Sequence, residues 1–310
     1  MKGIQTIAEY QTYDYMAIFE EKGVSSGGGL FHYFVHPAVP VVAVILYLIL
    51  SKPVTCFVRD LFDIQPKGKI DNFVKLHNSI LAIYSGWVCY NSVQLVVAHL
   101  REHGFRNTLC GGNKSTLWDG NMDFWIFNFY ISKFYEFVDT WIIYAKGKDK
   151  DMFLQVFHHA GIAILMWALY VSYSSPVVIL VTFNSFIHTL MYSYYSNSEA
   201  LSALKPYMTT MQIIQLVVGT ALTVPAHFFM GDDCLNQAQH YTLFAMECYT
   251  MALTYLFWDF YKKSYVLKKT NAKAKNISDT ASNSSPAPSE SDLVKSLPRE
   301  IPNGDAKKEN

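Results

Sequence analysis

The chain has 310 residues, of which 51% are hydrophobic and 15% aromatic, while only 16% are charged, against ~25% in an ordinary globular protein. Its 25 basic and 25 acidic residues cancel, which removes a nucleic-acid binder relying on a basic field. Five cysteines without a CxxC pair indicate neither a zinc module nor a dense disulfide scaffold. An all-α, polytopic membrane protein remains.

In chain order, residues 1–33 are polar, carry Glu9, Asp14, Glu20 and Glu21, and lack the continuous apolar run of a signal peptide. Seven apolar stretches of spanning length follow, at roughly 34–51, 76–98, 123–145, 152–173, 176–195, 207–229 and 240–261. The first is the shortest and holds Pro37 and Pro40. Only Ser174 and Ser175 separate the fourth from the fifth, which Pro176 opens, so a tight helical hairpin is expected there. From residue 266 the chain is a low-complexity tail with no core to bury. The expected organisation is thus a lumenal segment (1–33), a seven-helix domain (34–265) and a disordered cytosolic tail (266–310).

Alternate loops carry 15 and 5 basic residues, the richer set including Lys205, Lys262 and Lys263, so the positive-inside rule puts the amino terminus away from the cytosol and the carboxyl terminus in it. The chain ends Lys307-Lys308-Glu309-Asn310, a dilysine pattern that retrieves membrane proteins to the endoplasmic reticulum when cytosolic. Cys110 and Cys234 fall on the non-cytosolic, oxidising side, where a disulfide is allowed. We expect them to be joined, with two free thiols as the alternative. Asn113-Lys114-Ser115 in the same loop is a glycosylation acceptor pattern.

Ionisable side chains inside a span are costly and are functional candidates by default. Span three holds Lys133, Glu136 and Asp139 in KFYEFVDT, three residues apart and therefore on one helical face. At ~1.5 Å per residue Asp139 lies ~9 Å and Lys133 ~18 Å from the cytosolic end. His158 and His159 of span four lie ~9–11 Å deep on the same scale, His188 and Asn184 of span five ~10 and ~16 Å, and Gln212 and Gln215 of span six ~8–12 Å. Four helices are therefore expected to bring polar groups to one layer, with helix-to-helix hydrogen bonding as the bland alternative and an active site as the functional one.

Two other classes compete. A histidine-box desaturase or hydroxylase needs its histidines gathered on one metal centre, yet the HxxxH pairs His32/His36 and His99/His103 lie toward the face opposite His158 and His159. A seven-helix receptor shares the orientation, but span three lacks an Asp/Glu-Arg-Tyr end and span seven lacks NPxxY.

The ordered motifs Lys133-x-x-Glu136-x-x-Asp139-Thr140, Gln155-x-x-His158-His159, Asn184-x-x-x-His188-x-x-Met191-Tyr192-x-Tyr194-Tyr195 and Thr209-x-x-Gln212-x-x-Gln215 strongly resemble those of the ELO family of fatty-acid elongases, over residues ~35 to 265. Leu76-His77-Asn78 is similar to a further element of that family. The resemblance implies an enzyme of the endoplasmic reticulum membrane that condenses a long-chain acyl-CoA with malonyl-CoA to give 3-ketoacyl-CoA, CoA and CO₂. It also implies no cofactor and no metal, and as partners the reductases and dehydratase of the elongation cycle, with a homodimer admissible. The family's central motif is usually HxxHH; Gln155 in its first position resembles the branch acting on polyunsaturated chains, and a carboxamide cannot titrate.

From the resemblance His158 is the nucleophile toward the thioester, and His188 positions or polarises the second substrate. His159, Asn184 and Gln155 hold rings or the developing oxyanion. Glu136 or Asp139 orients an imidazole through its second nitrogen. Lys133, Tyr192, Tyr195, Gln212 and Gln215 complete the expected substrate contacts.

Overall fold

The computed structural model describes residues 31–64, 69–110, 117–148, 150, 152–198, 200–231, 233–267 and 270; Asn113-Lys114-Ser115 and the dilysine end lie outside them. The described residues form helices and no strand. The main ones are α1 (Ala38–Leu61), α2 (Lys69–Leu109), α3 (Asp123–Tyr135), α4 (Phe137–Ala145), α5 (Phe153–Val171), α6 (Val177–Ser196), α7 (Lys205–Thr223), α8 (Pro225–Phe228) and α9 (Gln237–Tyr261). The chain divides at Tyr261 into two units, and α1–α9 all belong to the first.

Five helical stretches, Ala38–Leu61, Ile70–Leu109, Phe153–Val171, Val177–Ser196 and Tyr207–Phe228, are long and apolar enough to cross a bilayer. The stretch expected at 123–145 is two consecutive helices of 13 and 9 residues that meet at Glu136, a residue with right-handed helical dihedrals. The last expected span is α9, 25 residues long, whose polar content includes Gln237, His240, Glu247 and Asp259. α1 runs ten residues past the expected end at 51, through Pro53, so Lys52 and Arg59 belong to the helix. α2 likewise carries Arg101 and His103, and Gly104, at φ 76°, breaks it before its last turn. A left-handed φ is a conformation that only glycine adopts without strain.

The α5–α6 connection has the expected form. Ser172 ends α5, Tyr173 turns at φ 54°, and Pro176 caps α6, a place where its missing N–H costs nothing. Ser174 and Ser175 are fully buried in this turn, and the Trp118 indole N–H donates to Ser175 Oγ at 3.0 Å.

α2 packs along α6, α6 along α7, α7 along α9 and α9 along α5; α3 joins α5 and closes the ring back to α2. α1 lies outside that ring against α4 and α5. Half of the most apolar window of α6 is buried, against 17% of that of α1 and of the Tyr207–Phe228 stretch, so α6 is the most enclosed of these helices. Large apolar side chains such as Leu48, Ile49 and Phe57 point outward, as lipid-facing side chains do. Cys110 and Cys234 are joined by a disulfide across 124 residues, with their Cα atoms 4.5 Å apart. Beside it Arg106 donates to the carbonyl of Met230 at 2.8 Å and to Asp233 Oδ1 at 2.6 Å.

Candidate active site

Glu136 is the joint between α3 and α4. Its N–H still bonds the Ser132 carbonyl at 2.9 Å, and the Asp139 N–H reaches the Glu136 carbonyl at 3.1 Å, so the helix tightens locally at this residue. The two sides of this joint face different partners. Lys133 Nζ, 1% exposed, donates to Glu136 Oε1 at 2.7 Å and approaches Asn184 Oδ1 on α6 at 3.4 Å. His188 Nδ1 lies 3.7 Å from the same Glu136 oxygen. A buried ammonium and carboxylate need such mutual compensation.

Asp139 stands elsewhere. It is bonded to His77 Nε2 at 2.7 Å and accepts from the Tyr192 hydroxyl at 2.7 Å, while His77 Nδ1 lies 3.2 Å from the Tyr135 hydroxyl. The imidazole oriented by Asp139 is therefore that of His77 on α2, not one of the three histidines expected in the layer. KFYEFVDT stays helical through Glu136, at φ −63° and ψ −12°, with one i→i−3 hydrogen bond at the joint, and the partners of its polar groups come from different neighbouring helices. Thr140, next along, bonds the Tyr47 hydroxyl of α1 at 2.9 Å.

On α5, the Gln155 amide nitrogen lies 2.7 Å from His159 Nε2. With that amide donating, Nε2 is the acceptor and Nδ1, buried and without a partner, carries the proton. His158 and His159 have ring centroids 5.3 Å apart, and Lys133, Glu136 and His188 all lie within electrostatic reach of His159. The Tyr249 hydroxyl of α9 donates to the His158 carbonyl at 2.7 Å and lies 3.3 Å from His158 Nδ1. Groups from α3, α5, α6 and α9 thus meet in one place, with Glu136 Oε2 and Gln215 Oε1 buried there or nearby without partners.

The remaining expected contacts separate. Gln215 and Asn184 line one end of a narrow cavity between α5, α6, α7 and α9. Gln212 donates to Met191 Sδ at 3.4 Å. Tyr192 is buried against Asp139, whereas Tyr195 is half exposed near the end of α6, its ring against Tyr194. The Lys205 side chain lies outside the described residues. Among the described residues, no three His, Cys, Asp or Glu side chains are placed to hold a metal ion.

Over residues 32–273 the chain matches the profile of the ELO family, described as the GNS1/SUR4 family. The chain belongs to the ELO family. It is 32% identical over 216 residues to fatty acid elongase sre1 of Dictyostelium discoideum, covering 67% of this chain and 76% of that one. It is 29% identical over 165 residues to fatty acid elongase 2 of Trypanosoma cruzi, covering 52% of this chain and 59% of that one. The corresponding protein of Trypanosoma brucei brucei is 27% identical over 195 residues, 59% of this chain and 71% of its own length.

Three residues of this ELO-family chain take their place in three dimensions without having been assigned a role from the sequence. His77 was visible as part of Leu76-His77-Asn78, but no role followed from that element. Tyr249 gave no signal in the sequence, because an aromatic residue in an apolar span reads as packing. Glu247 did give one, as the sole carboxylate between residues 240 and 258, and it lies outside the His158 layer.

Proposed function

We propose that this chain is a fatty-acid elongase that condenses a long-chain, polyunsaturated acyl-CoA with malonyl-CoA, as a multi-pass protein of the endoplasmic reticulum membrane with its carboxyl terminus in the cytosol. The observation that carries this reading is the meeting of His158, His159 and His188 with the Lys133–Glu136–Asn184 group in one buried polar site. The names of the related proteins support it.

In this reading His158 Nε2 attacks the acyl thioester carbonyl, the C–S bond breaks, and CoA leaves as the thiol with the proton that Nδ1 of the imidazole gives up. Tyr249 prepares that step. Its hydroxyl donates to the His158 carbonyl and can accept from Nδ1–H, which leaves the Nε2 lone pair free for attack. Malonyl-CoA then loses CO₂, and the electron pair released at its α-carbon attacks the acyl carbonyl. The new C–C bond forms as the C–N bond to His158 breaks, giving 3-ketoacyl-CoA and an imidazole that regains its proton from solvent. The resulting acyl chain passes to the reductases and dehydratase of the elongation cycle.

The test uses the purified full chain with acyl-CoA and no malonyl-CoA. A burst of free CoA and an acyl mass on the peptide containing Phe157-His158-His159 are expected. His158→Ala abolishes both; near-normal condensation by that variant would remove the nucleophile assignment.

A further inference from the structure

No step of the condensation uses His77, yet this imidazole of α2 is 1% exposed and sits among groups from three other helices. Its Nε2 lies 2.7 Å from Asp139 Oδ1 on α4, and its Nδ1 lies 3.2 Å from the Tyr135 hydroxyl of α3. The second oxygen of Asp139 accepts from the Tyr192 hydroxyl of α6 at 2.7 Å. An ionised carboxylate only accepts hydrogen bonds, so the proton of His77 is on Nε2 and Nδ1 accepts from Tyr135. Tyr192 is one helical turn from His188, and their rings meet edge to face with centroids 5.4 Å apart at 86°. His188 Nδ1 is 3.7 Å from Glu136 Oε1, beyond hydrogen-bond length, so the contact with the Tyr192 ring is what bears on the tilt of this imidazole from its own helix.

These contacts run in series, from His77 to Asp139, to Tyr192 and to His188. The Asp139 side chain is 15% exposed, and a carboxylate so far removed from water needs a donor on each oxygen. Tyr192 supplies one and His77 the other. Without the His77 donor Oδ1 is left short of a partner, the carboxyl group turns, and the Tyr192 hydroxyl bonded to its other oxygen moves with it. An edge-to-face pair is sensitive to ring angle and separation, so the displacement passes to His188.

We propose that His77 is a positioning residue which, through Asp139 and Tyr192, sets the His188 imidazole for the half-reaction that consumes malonyl-CoA. This rests on the elongase reading above. His158 has a different support, since the Tyr249 hydroxyl holds it from α9. The two half-reactions are therefore braced from different helices, acyl transfer from α9 and carbon–carbon bond formation from α2. A change at His77 should separate them, whereas a change that merely loosens the bundle lowers both.

The experiment follows the two steps separately on the purified full chain: the burst of CoA with acyl-CoA alone, then the rate at which 3-ketoacyl-CoA forms when malonyl-CoA is added. His77→Leu should keep the burst and slow the second step by about 10-fold, the rate equivalent of one lost hydrogen bond. The two amide variants identify the nitrogen that matters. Glutamine carries its amide nitrogen near the place of Nε2, within reach of Asp139, and asparagine carries its own near the place of Nδ1. His77→Gln should therefore recover most of the second step and His77→Asn should not. If His77→Leu does not accumulate, the comparison of His77→Gln with His77→Asn carries the same test. Equal loss in burst and second step, equal rates in His77→Gln and His77→Asn, or no loss in either step overturns the positioning role while leaving the elongase reading in place. Absence of both burst and condensation in the unaltered chain removes both.

Discussion

Tyr249 shows how one hydroxyl can fix two features of the candidate nucleophile, donating to the His158 carbonyl and facing its Nδ1. The ring lies flat on α5 at Gly161, where an added Cβ would stand 2.3 Å from Tyr249 Cε2. Gly161→Ala must therefore displace the ring, an overpacking that costs about 1–3 kcal/mol, and Tyr249→Phe removes the hydroxyl alone. Both should lower the CoA burst by about 10-fold, the rate equivalent of one lost hydrogen bond. Because both act through one ring, the double variant should fall by less than the product of the two, and a fully multiplicative loss would separate them. Gln155 acts on His159 in the same way. Gln155→Leu leaves both nitrogens of that ring without a partner, and a fall in condensation of about 10-fold with partial recovery in Gln155→His is the expected pattern. Equal loss in the two variants would assign Gln155 a role that histidine cannot take.

At the scale of elements, the helices packed around α3 and α4 decide which polar groups meet. Lys133 and Glu136 meet Asn184 and His188, whereas Asp139 meets His77 and Tyr192. Removing one member of a buried ion pair leaves an uncompensated charge, which costs about 3–5 kcal/mol. Lys133→Met should accordingly lower the melting temperature of the detergent-solubilised protein sharply, whereas Lys133→Met/Glu136→Leu should recover most of that loss and remain inactive. Recovery of activity in the double variant would show the pair to be structural only.

At the scale of the whole molecule, the Cys110–Cys234 bond ties the end of α2 to the segment before α9. Closing so long a loop stabilises by about 2–4 kcal/mol, so Cys110→Ser/Cys234→Ser should melt measurably lower than the oxidised protein and match it after reduction. Asp233 beside the bond has its carboxyl held below the ordinary value of 3.8 by the hydrogen bond from Arg106. A depressed folded-state pKa means a contribution that is present above pH 3.8 and is lost as the pH falls through the lower folded value. Melting temperatures recorded on either side of this window should differ between the unaltered chain and Asp233→Asn at the higher pH and converge at the lower; a constant offset would assign the effect to packing.

Composition and apolar run length were enough to determine an all-helical membrane protein, because the bilayer admits few backbone solutions and their lengths are fixed by its thickness. The α5–α6 hairpin was legible for a similarly local reason, since Pro176 and its serines act on the backbone next to them. The ordered motifs singled out Lys133, Glu136, His158, His159, Asn184 and His188, which the structure gathers within one region. What the sequence could not supply was the partner of each polar group. A helical repeat puts Lys133, Glu136 and Asp139 three residues apart on one face, but which neighbour each meets, Asn184 and His188 on α6 for the first two and His77 on α2 for the third, is set by helices distant in sequence. Tyr249 and His77 acquire their meaning from α5 and α4, and only the tertiary structure brings those helices to them.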